Sequence, residues 1–170
     1  FANHAALWVN AQGPVDLGTL GTVNLFSQAT GVNETETIVG FGETAVVGTS
    51  RPVIWTGRQI SELPTLGGPD GFADAINSCG DIVGQSDTVF GQFHATLWPI
   101  AGGIVDLDTL GSPFSQARGL NTQGVVVGYV SKPNVAGATK NAHGKPVLRF
   151  WSTFLPKLDV GGRGSIGPAV

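Results

Sequence analysis

The sequence of 170 residues contains no methionine, a single cysteine and few charged residues. Charged residues make up 12% of the chain, against roughly 25% in typical soluble domains. Cys79 cannot form a disulfide within the chain, and we interpret it as a turn residue. No apolar run reaches the roughly 18 residues of a transmembrane helix. No charged segment precedes an apolar stretch at the N-terminus, so no signal peptide is visible.

The balance of charge argues against nucleic-acid binding. Nine Lys and Arg stand against twelve Asp and Glu, for a net charge of −3, whereas nucleic acid requires a basic surface that displaces counterions. Residues 132–149 are locally basic but lack interleaved aromatic residues, and we interpret them as part of a solvated loop. An apolar content of 41% with a small net charge also argues against a disordered chain.

One segment occurs in three variants. In each variant an asparagine is followed five residues later by Ile-Val-Gly or Val-Val-Gly. The asparagines are spaced 44 residues apart, at Asn33, Asn77 and Asn121. Self-similarity at a fixed spacing of about 20–50 residues indicates a repeat architecture.

Two further modules recur in the same order along the chain. The first contains a tryptophan, at Trp8, Trp55, Trp98 and Trp151. The second is a leucine module that begins at Asp16, Glu62, Asp106 and, in degraded form, Lys157. A small-x-Ala step then leads to each asparagine segment. This order predicts one repeat domain over residues 1–170, with three full units and a partial fourth at about 4–44, 51–92, 94–140 and 147–170.

Each unit contains four short apolar runs separated by turn residues. Runs of Val, Ile, Leu and Trp bounded by Gly, Pro, Asn and Asp indicate strands, and no window keeps helical apolar spacing over three turns. Four antiparallel strands in a unit of this length are typical of a β-propeller blade. We therefore predict an all-β, propeller-like fold, with a β-solenoid as the main alternative.

The predicted units do not close a ring. Three and a half units are fewer than the roughly four to eight blades of a closed propeller. Either the chain is a fragment of a longer propeller, or copies associate through their open strand edges. The insertion at 129–146 is the longest between predicted strands and is a candidate functional loop.

The repeat assigns structural positions to its asparagines and histidines. An asparagine at a turn start bonds its own backbone two residues on, so we interpret the three repeated asparagines as hairpin residues. His4 and His94 each stand four residues before a tryptophan, and we interpret them as structural hydrogen-bonding residues and not as metal ligands. The acids that begin the leucine modules are interpreted in the same structural sense.

No pattern of catalytic residues is present. The sequence contains no phosphate-binding loop, no Gly-x-Ser-x-Gly elbow and no nucleophile beside a base. Asp70, Asp74 and Asp81 cluster in the second unit but do not follow the spacing of a calcium loop. We predict no catalytic, cofactor-binding or metal-binding residue and favour a non-catalytic structural or interaction protein. A carbohydrate-binding propeller and a fragment of a propeller enzyme with its active site elsewhere remain alternatives.

The order His-Ala-x-Leu-Trp, Asp-Leu-Gly-Thr-Leu-Gly, Ser-x-Ala, hydrophobic-Asn and Val-Val-Gly resembles the bacterial HAF family of extracellular repeats. Residues 4–8 and 94–98 carry the first motif, whereas the second and fourth units depart from it at 51–55 and 147–151. The resemblance implies a secreted or surface-displayed bacterial protein, sometimes part of a larger exported chain. It transfers no catalytic residue. Because half a unit is missing from the repeat count, we expect self-association through open blade edges, and a protein or glycan partner is the further expectation.

Replacing Trp55 or Trp98 by alanine is expected to lower the free energy of unfolding by roughly 3–5 kcal/mol. A buried aromatic side chain covers about 150–250 Å², and the repeat predicts that this area lies between neighbouring units. Urea denaturation followed by circular dichroism measures the loss. A variant that unfolds like the parent would contradict a core role for that tryptophan.

Overall fold

A computed structural model describes residues 2–10, 12–21 and 25–132 of the chain. Trp151, the partial fourth unit and most of the 129–146 insertion lie outside the described residues. The described part is all-β and contains no helix, as predicted. Its strands are β1 (Ala6–Leu7), β2 (Val15–Asp16), β3 (Ser27–Val32), β4 (Ile38–Glu43), β5 (Ser50–Thr56), β6 (Gln59–Glu62), β7 (Gly67–Ile76), β8 (Ile82–Thr88), β9 (Phe93–Trp98), β10 (Val105–Asp106), β11 (Ser115–Leu120) and β12 (Val126–Val130).

The strands pair into four antiparallel sheets in which consecutive strands are neighbours. The first sheet contains β1 and β2, the second β3 to β6, the third β7 to β10 and the fourth β11 and β12. The sheets are out of phase with the repeat units of the sequence. Each four-stranded sheet combines the last two strands of one unit with the first two of the next, because the sheet boundary falls after the leucine module.

Neighbouring sheets pack against each other through three apolar clusters. The cluster between the first and second sheets contains Ala5, Leu17, Ile38, Val53 and Trp55. The next two clusters repeat this arrangement one and two sheets further on, with Val39, Ala73, Ile82 and Trp98 in one and Val83, Ala95 and Ala117 in the other. Each interior sheet therefore contributes to two clusters, which is how repeats too small to form their own core become stable.

In each four-stranded sheet, one tryptophan links that sheet to the sheet before it. Trp55 and Trp98 are 1% and 2% exposed. Their indole N–H groups donate to the carbonyls of Leu17 at 2.9 Å and Pro64 at 2.7 Å, which satisfies the polar atom of each buried ring. Trp8 is 66% exposed, so it does not share the burial that the repeat predicts for Trp55 and Trp98. Within the described residues no sheet precedes the first one to cover it.

The repeated asparagines connect sheets as well as shaping turns. Asn33 Oδ1 accepts the backbone N–H of Thr35 at 3.1 Å, which is the predicted bond two residues on, whereas Asn77 Oδ1 accepts the backbone N–H of Asp81, four residues on, at 2.9 Å. In addition, Asn33 Nδ2 donates to the carbonyl of Asn77 at 3.3 Å, and Asn77 Nδ2 donates to the carbonyl of Asn121 at 3.1 Å. Equivalent turns are therefore joined across the stack, which adds an inter-sheet role that the sequence did not predict.

A β-bulge at the same position explains the glycine of the Val-Val-Gly motif. The pairing register shifts at Thr30 in β3, Asp74 in β7 and Arg118 in β11. Opposite each bulge a carbonyl approaches a glycine of the partner strand. A Cβ on Gly84 would lie 2.0 Å from the carbonyl oxygen of Phe72, and the equivalent glycines of β4 and β12 show the same approach at 1.9 Å. Only glycine fits there.

Gly84→Ala is expected to destabilise the protein by roughly 1–3 kcal/mol or more, because the strands must separate to admit the methyl group. Gly119→Ala is the matched control: it lies in β11 with negative φ, and its added Cβ would meet only Val127 Cγ2 at 3.6 Å. Urea denaturation of both variants measures the difference. Equal stabilities for the two variants would contradict the steric role of Gly84.

Candidate functional site

The predicted histidines pair with acids across strands. Nδ1 of His4 lies 2.8 Å from Oδ2 of Asp16, and Nδ1 of His94 lies 2.7 Å from Oδ2 of Asp106. These contacts join the tryptophan strand of a sheet to its leucine strand. In the second sheet an Arg and a Glu occupy the equivalent positions, Arg51 and Glu62, with Nε and Oε2 3.9 Å apart. The basic and the acidic partner thus change together, which places these residues in a structural contact.

The carboxylate of Asp16 is held in its charged form. It accepts the backbone N–H of Gly18 at 2.8 Å and contacts His4. The Gly18 hydrogen bond and, second, the His4 contact hold the pKa of Asp16 below its usual value. Such a carboxylate is a poor general acid or base near neutral pH. The pair therefore serves to hold the two strands together.

The three acids of the second unit do not converge. Asp70 Oδ1 accepts the backbone N–H of Ser50 at 2.7 Å, and Asp81 Oδ1 accepts that of Ile100 at 3.1 Å. Asp74 points to the fourth sheet. Within the described ranges, no group of three or more His, Cys, Asp or Glu side chains is placed to hold a metal ion.

Four side chains meet where the third and fourth sheets adjoin, and we call them the bulge cluster: Asp74, Gln116, Arg118 and Tyr129. Oδ2 of Asp74 accepts Nε2–H of Gln116 at 2.7 Å, and the Tyr129 hydroxyl donates to Oε1 of Gln116 at 2.8 Å. Nη1 of Arg118 lies 3.8 Å from Oδ1 of Asp74. The Arg118 guanidinium also lies 6.0 Å from the centre of the Tyr129 ring.

The bulge cluster combines a buried carboxylate with exposed donors. The Asp74 side chain is 14% exposed and that of Arg118 is 59% exposed. Burial raises the pKa of Asp74, and the Gln116 hydrogen bond and the Arg118 charge partly oppose this. The guanidinium and the phenol face solvent beside that carboxylate, so the cluster offers hydrogen-bond donors and a planar ring to a polar ligand.

The sequence reasoning missed this cluster. The bulge position changes from Thr30 to Asp74 to Arg118, whereas the residue before it is alanine in every sheet. Thr30 serves the stack directly, because its hydroxyl donates to the Ala73 carbonyl at 2.7 Å. The change of residue beside a constant alanine could have drawn attention to this position. The sequence does not show, however, that a β-bulge changes the direction of that side chain.

A cleft of about 450 Å³ lies between the first and second sheets. Its walls combine apolar side chains, among them Leu7, Leu17 and Trp55, with polar ones that include Glu36 and Arg58. Among the described residues the adjoining first sheet has two strands and covers the second sheet only in part. It brings together none of the predicted site residues except Trp55.

The chain matches no family model, no curated protein and no solved structure. In the part of the chain that the structure describes, no helix is long and apolar enough to cross a membrane.

Asp74→Asn is expected to remove one pH-dependent contribution to stability. Since the pKa of Asp74 is raised on folding, the native state binds its proton more tightly than the unfolded chain does. The stability of the parent relative to the variant therefore falls as pH rises from the ordinary value of 3.8 through the raised one. Thermal denaturation across this pH range measures the difference between the two melting temperatures. A difference that stays constant with pH would contradict the raised pKa.

Proposed function

We propose that this protein is a non-catalytic, propeller-like repeat protein that self-associates through its open strand edges. The propeller-like arrangement is supported by the inner edge strands β3, β7 and β11, which contact one another in order. No extensive contact joins the outer strands β6 and β10 among the described residues. Sheets that converge at one edge and separate at the other resemble blades around an axis.

A non-catalytic role is supported by the contacts of the recurring polar residues. The histidines and their acids clamp neighbouring strands, and the asparagines join neighbouring turns. These groups are already engaged in holding the sheets together. The proposed location, secreted or on a bacterial cell surface, is supported by the resemblance to the HAF repeats.

Self-association is supported chiefly by the open edge of β1. In the described structure β1 pairs with β2 alone, whereas its equivalents β5 and β9 have a partner on both sides. Unpaired backbone groups at a sheet edge are a template for another strand. The exposed ring of Trp8 lies beside this edge, next to the partly exposed Val9. An edge and an apolar ring together are suited to a second copy of the repeat.

The bulge cluster supports a second candidate function, carbohydrate binding. Arg118 gives exposed donors and Tyr129 a partly exposed planar ring. Aromatic rings with a few placed polar groups are typical of ligand-binding surfaces. A glycan array probed with the full chain tests this candidate. An array without hits excludes the glycans that it displays.

Sedimentation velocity of the full chain is expected to show a dimer or a larger species that dissociates on dilution. Trp8→Ser is expected to weaken this association, because it removes the exposed ring beside β1. Val47→Ser is the control, since Val47 is 98% exposed in a loop away from that edge. A compact monomer at every concentration, or an equal effect of both substitutions, would contradict the proposal.

A further inference from the structure

Two charged residues in a strained backbone conformation border the cleft between the first and second sheets. Glu36 and Arg58 both line this cleft, and their φ angles are +58° and +72°. Residues other than glycine rarely adopt this left-handed region, and the strain is often connected with function where they do. In the other two units the position of Glu36 is a glycine with positive φ, Gly80 or Gly124. The second sheet therefore keeps a charged side chain where the repeat accepts glycine.

The third sheet shows how the same place is filled elsewhere in the repeat. There the side chain of Ile100 packs over the turn, since a Cβ on Gly80 would lie 2.8 Å from Cδ1 of Ile100. In the second sheet Gly57 takes the place of Ile100, two residues after the tryptophan of its strand. Both sheets have four strands, so this exchange is independent of the short first sheet. It leaves the space beside Glu36 open.

The cleft is large enough for a small molecule and has an apolar floor. Its volume of about 450 Å³ lies within the roughly 300–1,000 Å³ of small-molecule sites. The lining side chains of Leu17, Ile38 and Trp55 are buried, and those of Leu7 and Val15 are partly buried. An apolar group that enters the cleft is therefore removed from water against apolar side chains, which favours binding.

The two charged residues lie at the same end of one strand pair. Ile38 of β4 pairs with Trp55 of β5. Glu36 stands two residues before Ile38, and Arg58 stands three residues after Trp55. Both charged residues are exposed, and within the described ranges neither forms an ion pair. A carboxylate and a guanidinium are thus available at the rim for ligand groups of opposite charge.

We propose that this cleft binds a small zwitterion with an apolar side chain, of the size of a free amino acid. The apolar side chain packs on the floor, the Glu36 carboxylate accepts from the ammonium group, and the Arg58 guanidinium donates to the carboxylate. A ligand with a single charge is repelled by one of the two residues, whereas a zwitterion satisfies both. For a ligand of this size with exposed ionic contacts, we expect a dissociation constant on the order of 1 mM. The proposal does not depend on self-association or on carbohydrate binding.

The test is a titration of the isotope-labelled full chain with L-phenylalanine at pH 7, followed by NMR. The indole N–H signal of Trp55 reports on the cleft. That of Trp98 is the internal control, because Ile100 fills the equivalent place in the third sheet. We expect the Trp55 signal to shift and saturate while the Trp98 signal stays constant. No shift of the Trp55 signal at about 10 mM L-phenylalanine, well above the expected dissociation constant, or an equal shift of both signals, overturns the proposal.

Two analogues of the probe test the requirement for both charges. N-acetyl-L-phenylalanine lacks the ammonium group, and L-phenylalanine amide lacks the carboxylate. We expect each analogue to bind the parent protein about two- to fivefold more weakly than L-phenylalanine, which is the contribution of an exposed ion pair. Equal affinities for the three compounds would show an apolar cleft without charge recognition, and the proposal would be wrong.

Substitutions assign each charge to its partner. Glu36→Gln is expected to remove the preference for L-phenylalanine over its N-acetyl derivative, and Arg58→Gln is expected to remove the preference over the amide. Glu34→Gln is the matched control, because Glu34 is an exposed acid of the same turn that does not line the cleft. Preferences that survive in both cleft variants contradict the proposed contacts.

Thermal stability separates a binding role of Glu36 from a structural one. Glu36→Gly introduces the residue of the other two units and relieves the left-handed strain. We therefore expect this variant to melt at the same temperature as the parent or higher, and to lose the preference for the zwitterion. A clearly lower melting temperature would show that the Glu36 side chain supports the turn, and would overturn its role in binding.

Discussion

The fold depends on contact between neighbouring sheets. A four-stranded sheet of this size has two faces to cover, and residues 2–10, 12–21 and 25–132 form no helix that could cover them. Its stability therefore comes from the next sheet in the stack. Trp55 illustrates the constraint, since its ring fills the space against the first sheet while its N–H satisfies the Leu17 carbonyl. The Asn33 and Asn77 side chains add polar links between equivalent turns. Neighbouring sheets thus stabilise one another.

Packing within and between the sheets also determines which positions of the repeat are constant and which vary. The motif glycine opposite each bulge is constant because a carbonyl occupies the space where its Cβ would lie. The residue at the bulge itself lies at the edge of the stack, where packing restricts the choice of side chain less. Thr30 and Asp74 both reach the following sheet, but with different chemistry. The bulge position thus supplies different chemistry in each of the inner edge strands β3 and β7.

Acidic side chains show how far the repeat tolerates a change of residue. At Glu43 a backbone N–H meets the carboxylate, and at Asp74 a glutamine and an arginine do so. At Asp87 one oxygen lacks any such partner. The backbone differs as well, because β7 has a second register shift between Gly67 and Gly71.

The sequence by itself determined the all-β class, the short strands and the 44-residue spacing, because strand periodicity and turn residues are local properties. It also indicated that His4 and Asn77 are structural, from their recurrence. Only the tertiary structure decided the phase of the sheets, the exposure of Trp8 and the partners of Asp74 and Asp87. Those outcomes depend on contacts between units distant in the chain, and a repeat pattern does not specify which faces meet.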